Sequence, residues 1–208
     1  MTDDPQPDLE SKLKEKPVLP VLPLRNTLLY PDMIIPLAVG RDRSLKAVEQ
    51  ATRGEGYLLI LSQKDGEVEE PEPDDLFRVG VMAKILRLMR VAPNNLSVIV
   101  HGQGKVSVEE YTSKEPFLEA RVSFLENAPG PPLEVEALNK NILSQYEKLA
   151  SLVPTIPQEM VAPLQRYEDA NRVADNIAFN LSIPLAEKQA ILEETGTVQR
   201  LKMLTGIL

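Results

Sequence analysis

The chain of 208 residues has no cysteine and no tryptophan, a single histidine, and few aromatic residues. Without cysteine it can form neither a disulfide framework nor a thiolate nucleophile nor a cysteine zinc site. No apolar run approaches the roughly 18 residues that a membrane-spanning helix needs. The start, MTDDPQPDLESKLKEK, is polar and lacks the apolar segment of a signal peptide. We therefore expect a cytoplasmic protein without a membrane partner.

Catalytic motifs are also missing from the sequence. Residues 102–105, Gly-Gln-Gly-Lys, lack the spacing and the hydroxyl of a phosphate-binding loop. A Ser-His-Asp triad would need His101, which the strand alternation places on a polar face, and no Gly-x-Ser-x-Gly elbow is present. One histidine with scattered carboxylates also makes a poor metal site. We predict no catalytic residue, no metal ligand and no cofactor.

The net charge of −8 is concentrated in one segment. Residues 67–75, EVEEPEPDD, hold six acids and no base. Like charges in a block repel one another and extend the chain, and a calcium loop would need a different spacing of carboxylates and glycine. We interpret the segment as a solvated surface loop.

The first half of the chain has the alternation of β-strands. After two Pro-containing apolar runs and a helix over 44–53, strands are predicted at 57–61 and 77–85, at 96–108 and at 117–125. Glycines 102 and 104 share the inward face of the strand at 96–108, which indicates a bend or bulge. Six strands with one intervening helix predict a small, strongly curved β-barrel.

A proline-rich linker at 128–132 ends the β pattern, and the period changes to that of helices. Helices are predicted at 133–152, at 171–181, at 184–194 and from Thr197 onward. The fold class is therefore α+β, a curved barrel followed by an α-helical bundle. The predicted domains are a disordered tail at 1–17, a barrel at 18–127 and a helical bundle at 133–208.

The segment from Val18 to Arg43, VLPVLPLRNTLLYPDMIIPLAVGRDR, is the most distinctive part of the sequence. Its Leu-Pro-Leu-Arg, its Leu-Leu-Tyr-Pro and its Pro-Leu-Ala-Val-Gly-Arg resemble the opening of the amino-terminal domain of ATP-dependent Lon proteases. Further similar stretches are Val79–Ile85, Leu185–Leu192 and Val198–Leu204. One departure is His101-Gly102-Gln103, where the family commonly has an acidic residue before the glycine.

The resemblance implies a PUA-like barrel and a non-catalytic role. A full-length protein of this kind would be an ATP-dependent serine endopeptidase, but this sequence has neither a Walker loop nor the Ser–Lys motif. ATP and magnesium are therefore expected only on a separate ATPase module. The implied partners are unfolded or degron-bearing proteins, bound and delivered to an ATPase–protease ring. Other copies of the chain would be partners in that ring.

The loop between the first two strands is the candidate substrate-binding site. Leu28, Leu29, Tyr30, Pro31 and Met33 make it more apolar than surface loops usually are. Exposed apolar patches often mark protein contacts. The alternative is that these side chains fill the mouth of the barrel.

Two other functions remain open. PUA-like domains include RNA-binding modules, and Lys84, Arg87 and Arg90 supply cations along one strand. Against this, the chain is acidic and lacks aromatic stacking residues, so we do not expect a nucleic-acid partner. A purely structural oligomerisation domain is the third possibility.

Overall fold

The computed structural model describes residues 16–153 and 161–208, which divide into two units. Residues 16–27 and 34–125 form the sheet unit, and residues 28–33 with 126–208 form the helical unit. The chain therefore passes from the sheet unit to the helical unit at residue 28 and returns at residue 34. The predicted disordered tail lies outside the described residues except for Lys16 and Pro17.

One mixed sheet of six strands makes up most of the sheet unit. The strands are β1 (Val18–Leu24), β2 (Ile34–Val39), β3 (Tyr57–Ser62), β4 (Val79–Ala92), β5 (Asn95–Ser113) and β6 (Glu119–Phe124). Their order is β2-β5-β4-β3-β1-β6, and β1 with β3 is the parallel pair. β6 pairs with β5 as well as with β1, so the sheet curls back on itself.

The α+β class and the six strands with one intervening helix are confirmed. A closed six-stranded barrel is not formed, because among the described strands β2 pairs with β5 alone and stays at an edge. The predicted irregularity near Gly102 and Gly104 is present. The register between β4 and β5 shifts where Met82 faces Gly104 and Ala83 faces Gly102. The residue between those glycines, Gln103, is thus left without a partner on β4. Met82 and Ala83 are consecutive, so the two glycines lie on opposite sides of the sheet and the prediction of a shared inward face is wrong.

The core of the sheet unit lies inside the curled sheet. Alternate residues of β5 and β6 are buried as predicted, since inward positions of a strand repeat every two residues. The buried cluster consists of Leu19, Val21, Leu59, Leu61, Leu76, Met82, Val106, Val108, Leu118, Ala120 and Val122.

The helix of the sheet unit, α1 (Asp42–Arg53), packs against β1 and β3 through Ser44, Ala47, Val48 and Ala51. The helix begins at Asp42, two residues before the predicted start at residue 44. Arg41 at the N-cap makes no side-chain capping bond. Asp42 still favours the helix, because a carboxylate in the first turn faces the positive end of the helix dipole.

Five helices follow in the described part of the helical unit. They are α2 (Pro132–Leu152), α3 (Val161–Leu164), α4 (Ala170–Asn180), α5 (Leu185–Glu193) and α6 (Thr197–Ile207). α6 contacts α2, α4 and α5, and so has a central place among them. Side chains without measurable exposure include Ile142, Tyr146, Val173, Ile177, Ile191, Leu201 and Leu204. No described helix is long and apolar enough to cross a membrane.

Candidate functional site

The loop predicted to bind substrate is largely buried. Leu28, Leu29 and Tyr30 are 4%, 2% and 0% exposed and belong to the helical unit. Pro31 and Met33 are partly exposed. The prediction that this loop is a surface feature is therefore wrong for its first three residues, because their side chains enter a core. A role of these five residues in substrate binding stays a prediction.

Tyr30 is fixed by polar contacts as well as by packing. Its hydroxyl donates a hydrogen bond of 2.8 Å to the backbone carbonyl of Lys188 at α5. Burial, and next the negative charge of Asp175, raise the pKa of the Tyr30 hydroxyl far above its ordinary value. The phenol therefore stays protonated and continues to donate this bond at any physiological pH.

A buried ion pair lies in the same unit. Arg200 is 1% exposed, and its guanidinium pairs with the carboxylate of Asp175 on α4. The guanidinium also donates to the carbonyl of Ile191 and to the side-chain oxygen of Asn171. Buried charges are tolerated when they are paired and hydrogen-bonded in this way. The cluster has the character of a structural support rather than of an open site.

Large apolar side chains are exposed in another place, at the free end of the β4–β5 hairpin and on the adjoining strand β2. Val91 is 71% exposed, Ile34 58%, Leu86 52% and Met89 40%. β3 pairs with β4 only as far as Lys84, so the rest of β4 extends past its neighbour. The apolar residues beyond that point lack a covering strand on the β3 side.

The register assigns part of this surface to a single side of the sheet. Pro36 faces Ile99, which faces Arg87, and the next row is Ala38, Ser97 and Met89. Directly opposite residues in a sheet point to the same side. We call Ile34, Pro36, Met89 and Ile99 the apolar face. Arg87 lies on the same side of the sheet as the apolar face.

A proline limits the pairing of further strands at the edge beside the apolar face. A hydrogen-bonded antiparallel pair exchanges two N–H···O bonds, and Pro36 has no N–H. The pair of Pro36 and Ile99 is therefore a non-hydrogen-bonded one, and the Pro36 nitrogen points toward the open edge of β2. An added strand would find an acceptor but no donor there. Contacts to side chains on the face are favoured over extension of the sheet.

A cavity of about 340 Å³ opens elsewhere in the sheet unit. Leu19, Ala51, Tyr57 and Met82 contribute to its wall. Tyr57 belongs to the cross-strand row Tyr57, Lys84, His101 and Ile34, so it lies on the same side of the sheet as the apolar face. The Lys84 ammonium is 4.4 Å from the centre of the Tyr57 ring and also donates to the carbonyl of Glu55.

The described residues do not assemble a metal site, since no group of three His, Asp or Glu side chains is placed to hold an ion. Nδ1 of His101 lies 2.8 Å from the side-chain nitrogen of Gln103. The histidine is half-buried on the row that joins the cavity to the apolar face. His101 is therefore a residue of the sheet rather than a member of a catalytic triad.

Our sequence reasoning missed the apolar face because the alternation that defined β4 stops near Ile85. Residues 86–91, Leu-Arg-Leu-Met-Arg-Val, carry apolar side chains on both parities. These six residues continue β4 beside a neighbouring strand that is predicted to be only five residues long, at 57–61. A strand that extends past its neighbour leaves apolar side chains uncovered, so the sequence already indicated an exposed apolar surface here.

The fold occurs in solved structures. The N-terminal domain of the Mycobacterium avium complex Lon protease superimposes with a TM-score of 0.71 at 23% identity, covering 91% of this chain and 97% of that one. A Lon N-terminal domain protein from Xanthomonas campestris gives 0.60 at 18% identity, covering 91% and 98%. The architecture is thus that of a Lon-type amino-terminal domain.

Sequence comparison identifies the family itself. The family model of the ATP-dependent protease La (LON) substrate-binding domain matches residues 18–208, and the chain belongs to this family. The Lon protease of Dictyoglomus thermophilum is 39% identical over 188 residues, which is 90% of this chain and 24% of that protein. The Lon protease of Trichlorobacter lovleyi is 36% identical over 208 residues, 100% of this chain and 26% of that protein. The chain thus spans about a quarter of the length of these relatives.

Proposed function

We propose that the chain binds unfolded or degron-bearing proteins through the apolar face and serves as the recognition part of an ATP-dependent protease. The observation that carries this is the exposure of Ile34 and Met89 on one side of a rigid sheet. Exposed apolar patches on proteins with a well-buried core commonly mark protein contacts. Family membership supports the proposal, because the family is described as substrate-binding.

The form of the face fits weak and unspecific capture. Its flexible methionine adapts to different partners, and Ile34 and Ile99 give a flat contact without deep pockets. An unfolded segment would lose little of its freedom on such a surface. Several copies in a ring would add avidity, so each contact can stay weak enough for release. Delivery to an ATPase–protease ring, assembly of that ring and a cytoplasmic location are parts of the same proposal.

The test compares binding of a permanently unfolded protein with and without the apolar face. The full chain and the double variant Ile34→Ser, Met89→Ser are titrated against a fluorescently labelled, reduced and alkylated protein. We expect the variant to bind about tenfold more weakly, since two exposed apolar side chains supply about 1.4 kcal/mol of contact.

The matched control is Leu133→Ser. Leu133 is 83% exposed on α2, so its replacement removes an exposed apolar side chain from the helical unit. The control is expected to bind as the unchanged chain does. Equal binding by all three proteins, with unchanged circular dichroism, would exclude the apolar face as the binding surface.

RNA binding is the second candidate, favoured by the cations of β4. Lys84, Arg87 and Arg90 follow one another along this strand, and residues 76–108 contain no acid. Aromatic side chains on which bases could stack are missing, however, since every phenylalanine and tyrosine in the described part of the chain is at least partly buried. A purely structural oligomerisation domain would show self-association by light scattering that unfolded protein does not change.

A further inference from the structure

The charge around the apolar face is one-sided. Residues 76–108, which include all of β4 and most of β5, hold five cations and no acid, although the whole chain has a net charge of −8. Residues 33–39, which include β2, hold no charged residue at all. These stretches of the strands that form the apolar face therefore carry positive charge only, and the acids of β5, Glu109 and Glu110, come after them.

One of these cations lies open on the face itself. Arg87 shares the row of Pro36 and Ile99. Arg90 faces Leu96, which faces the buried Val39, so Arg90 lies on the opposite side of the sheet. Arg87 is exposed, and among the described residues its guanidinium has no ion-pair or hydrogen-bond partner.

Two other arginines of the sheet unit pair with acids. Arg43 pairs with Glu72 at 2.9 Å, and Arg121 pairs with Glu110 at 2.8 Å. A guanidinium is well suited to two parallel hydrogen bonds with a carboxylate. Arg87 can offer its guanidinium to a carboxylate from a partner in the same way.

An apolar surface that includes an unpaired arginine discriminates by charge. An acidic side chain next to an apolar one would meet Arg87, while a basic side chain would meet a like charge at the same place. Complementary rim charges contribute chiefly to selectivity and to the rate of association. The acidic remainder of the chain would direct an acidic partner toward this positive end.

Building on the proposed function, we propose that the apolar face selects unfolded segments in which apolar residues alternate with acidic residues, and disfavours segments rich in lysine and arginine. Arg87 is the residue that sets this preference. The apolar face supplies contact to both kinds of segment, and Arg87 favours the acidic one.

The experiment uses the full chain and three labelled 12-residue peptides. The peptides share the same leucines, isoleucines and valines and differ only in the intervening residues, which are acidic, basic or serine. At low salt we expect the acidic peptide to bind about fivefold more tightly than the basic one, since attraction to Arg87 in one case is repulsion in the other. The ratio should shrink between 0.1 and 1 M salt, as the screening length falls from about 10 to about 3 Å.

Two variants locate the effect. Arg87→Gln should reduce the acidic-to-basic ratio to about twofold or less while leaving binding of the serine peptide unchanged. Arg90→Gln removes an exposed cation as well, from the same strand but from the opposite side of the sheet. This control should keep the full ratio.

Each outcome separates the two proposals. If all three peptides bind with equal affinity, the charge preference is overturned and the proposed binding function stands. If no peptide binds, both are overturned. If an RNA oligonucleotide displaces the acidic peptide at lower concentration than unlabelled peptide does, Arg87 belongs to a nucleic-acid site and the inference is overturned.

Discussion

At the scale of single residues, the most consequential side chains are those that hold the helical unit together. Arg200 combines an ion pair with Asp175 and two further hydrogen bonds in a place without solvent. A charge in such a place depends entirely on its partners. The exposed apolar residues of the hairpin have the opposite character, because little in the fold depends on them.

Removal of the buried carboxylate therefore should destabilise the protein strongly. We expect Asp175→Ala to lower the free energy of unfolding by about 3–5 kcal/mol, because the Arg200 charge is left buried and unpaired. Chemical denaturation followed by circular dichroism measures this loss.

The matched control is Asp32→Asn, which removes the charge of a carboxylate 3.0 Å from the guanidinium of Arg172 and keeps a residue type that tolerates the φ of 60° at this position. Both of those side chains are nearly half exposed, so the loss should stay below about 1 kcal/mol. Similar losses in the two variants would contradict the structural importance given to the buried pair.

At the scale of elements, period and parity predicted most of the fold. Val98, Val100 and Val106 are buried as alternation predicts, but the irregularity at Gln103 places Val106 on the other side of the sheet from the first two. The helices from residue 132 onward follow from the change of period and from the prolines and glycine at their ends. These features depend on neighbours in sequence, which is why a sequence reveals them.

The site could not be predicted in the same way, because burial of a loop depends on distant residues. The sequence leaves open whether Leu28, Leu29 and Tyr30 are exposed or fill the barrel mouth. They are buried within the helical unit, where Tyr30 donates a hydrogen bond to a residue 158 positions later. Conversely, Leu86 and Val91 are exposed because β3 ends too early to cover them. Neither fact is a property of the local pattern.

The edge strand β2 offers a test of its own. Replacement of Pro36 by valine would restore an N–H that points toward the open edge, between Ile34 and Ala38. Unpaired strand edges promote pairing between chains. We therefore expect Pro36→Val to increase self-association several-fold, as measured by light scattering over a concentration series.

Ala38→Val is the matched control for this edge. It adds an exposed branched side chain on the same strand without adding a donor. The control should associate as little as the unchanged chain. If both variants associate equally, added apolar surface rather than the new N–H is the cause, and the account of Pro36 as a block to edge pairing is wrong.

At the scale of the whole molecule, the two units are not consecutive pieces of the chain. Residues 28–33 leave the sheet unit, join the helical unit and return. A boundary drawn in the 128–132 linker therefore separates the helices from part of their own core.

A polypeptide of residues 126–208 alone should consequently fold poorly. It lacks three almost fully buried side chains, and a buried leucine contributes about 1.5–3 kcal/mol. We expect weak helicity and a broad thermal transition by circular dichroism, and a sharper transition when residues 25–35 are fused to it through a flexible linker. A scrambled 25–35 segment is the control, and equal cooperativity with either segment would contradict the dependence.

The hydrogen bond from Tyr30 to Lys188 also bears on folding during synthesis, because its partners are 158 residues apart. At a synthesis rate of about 5–20 residues per second, Tyr30 leaves the ribosome roughly 8–30 s before its acceptor. Through that interval Leu28, Leu29 and Tyr30 have no core to enter. A chain whose translation stops before α5 would keep them uncovered, so an incomplete copy of this recognition domain would itself display an apolar segment of the kind that the domain is proposed to bind.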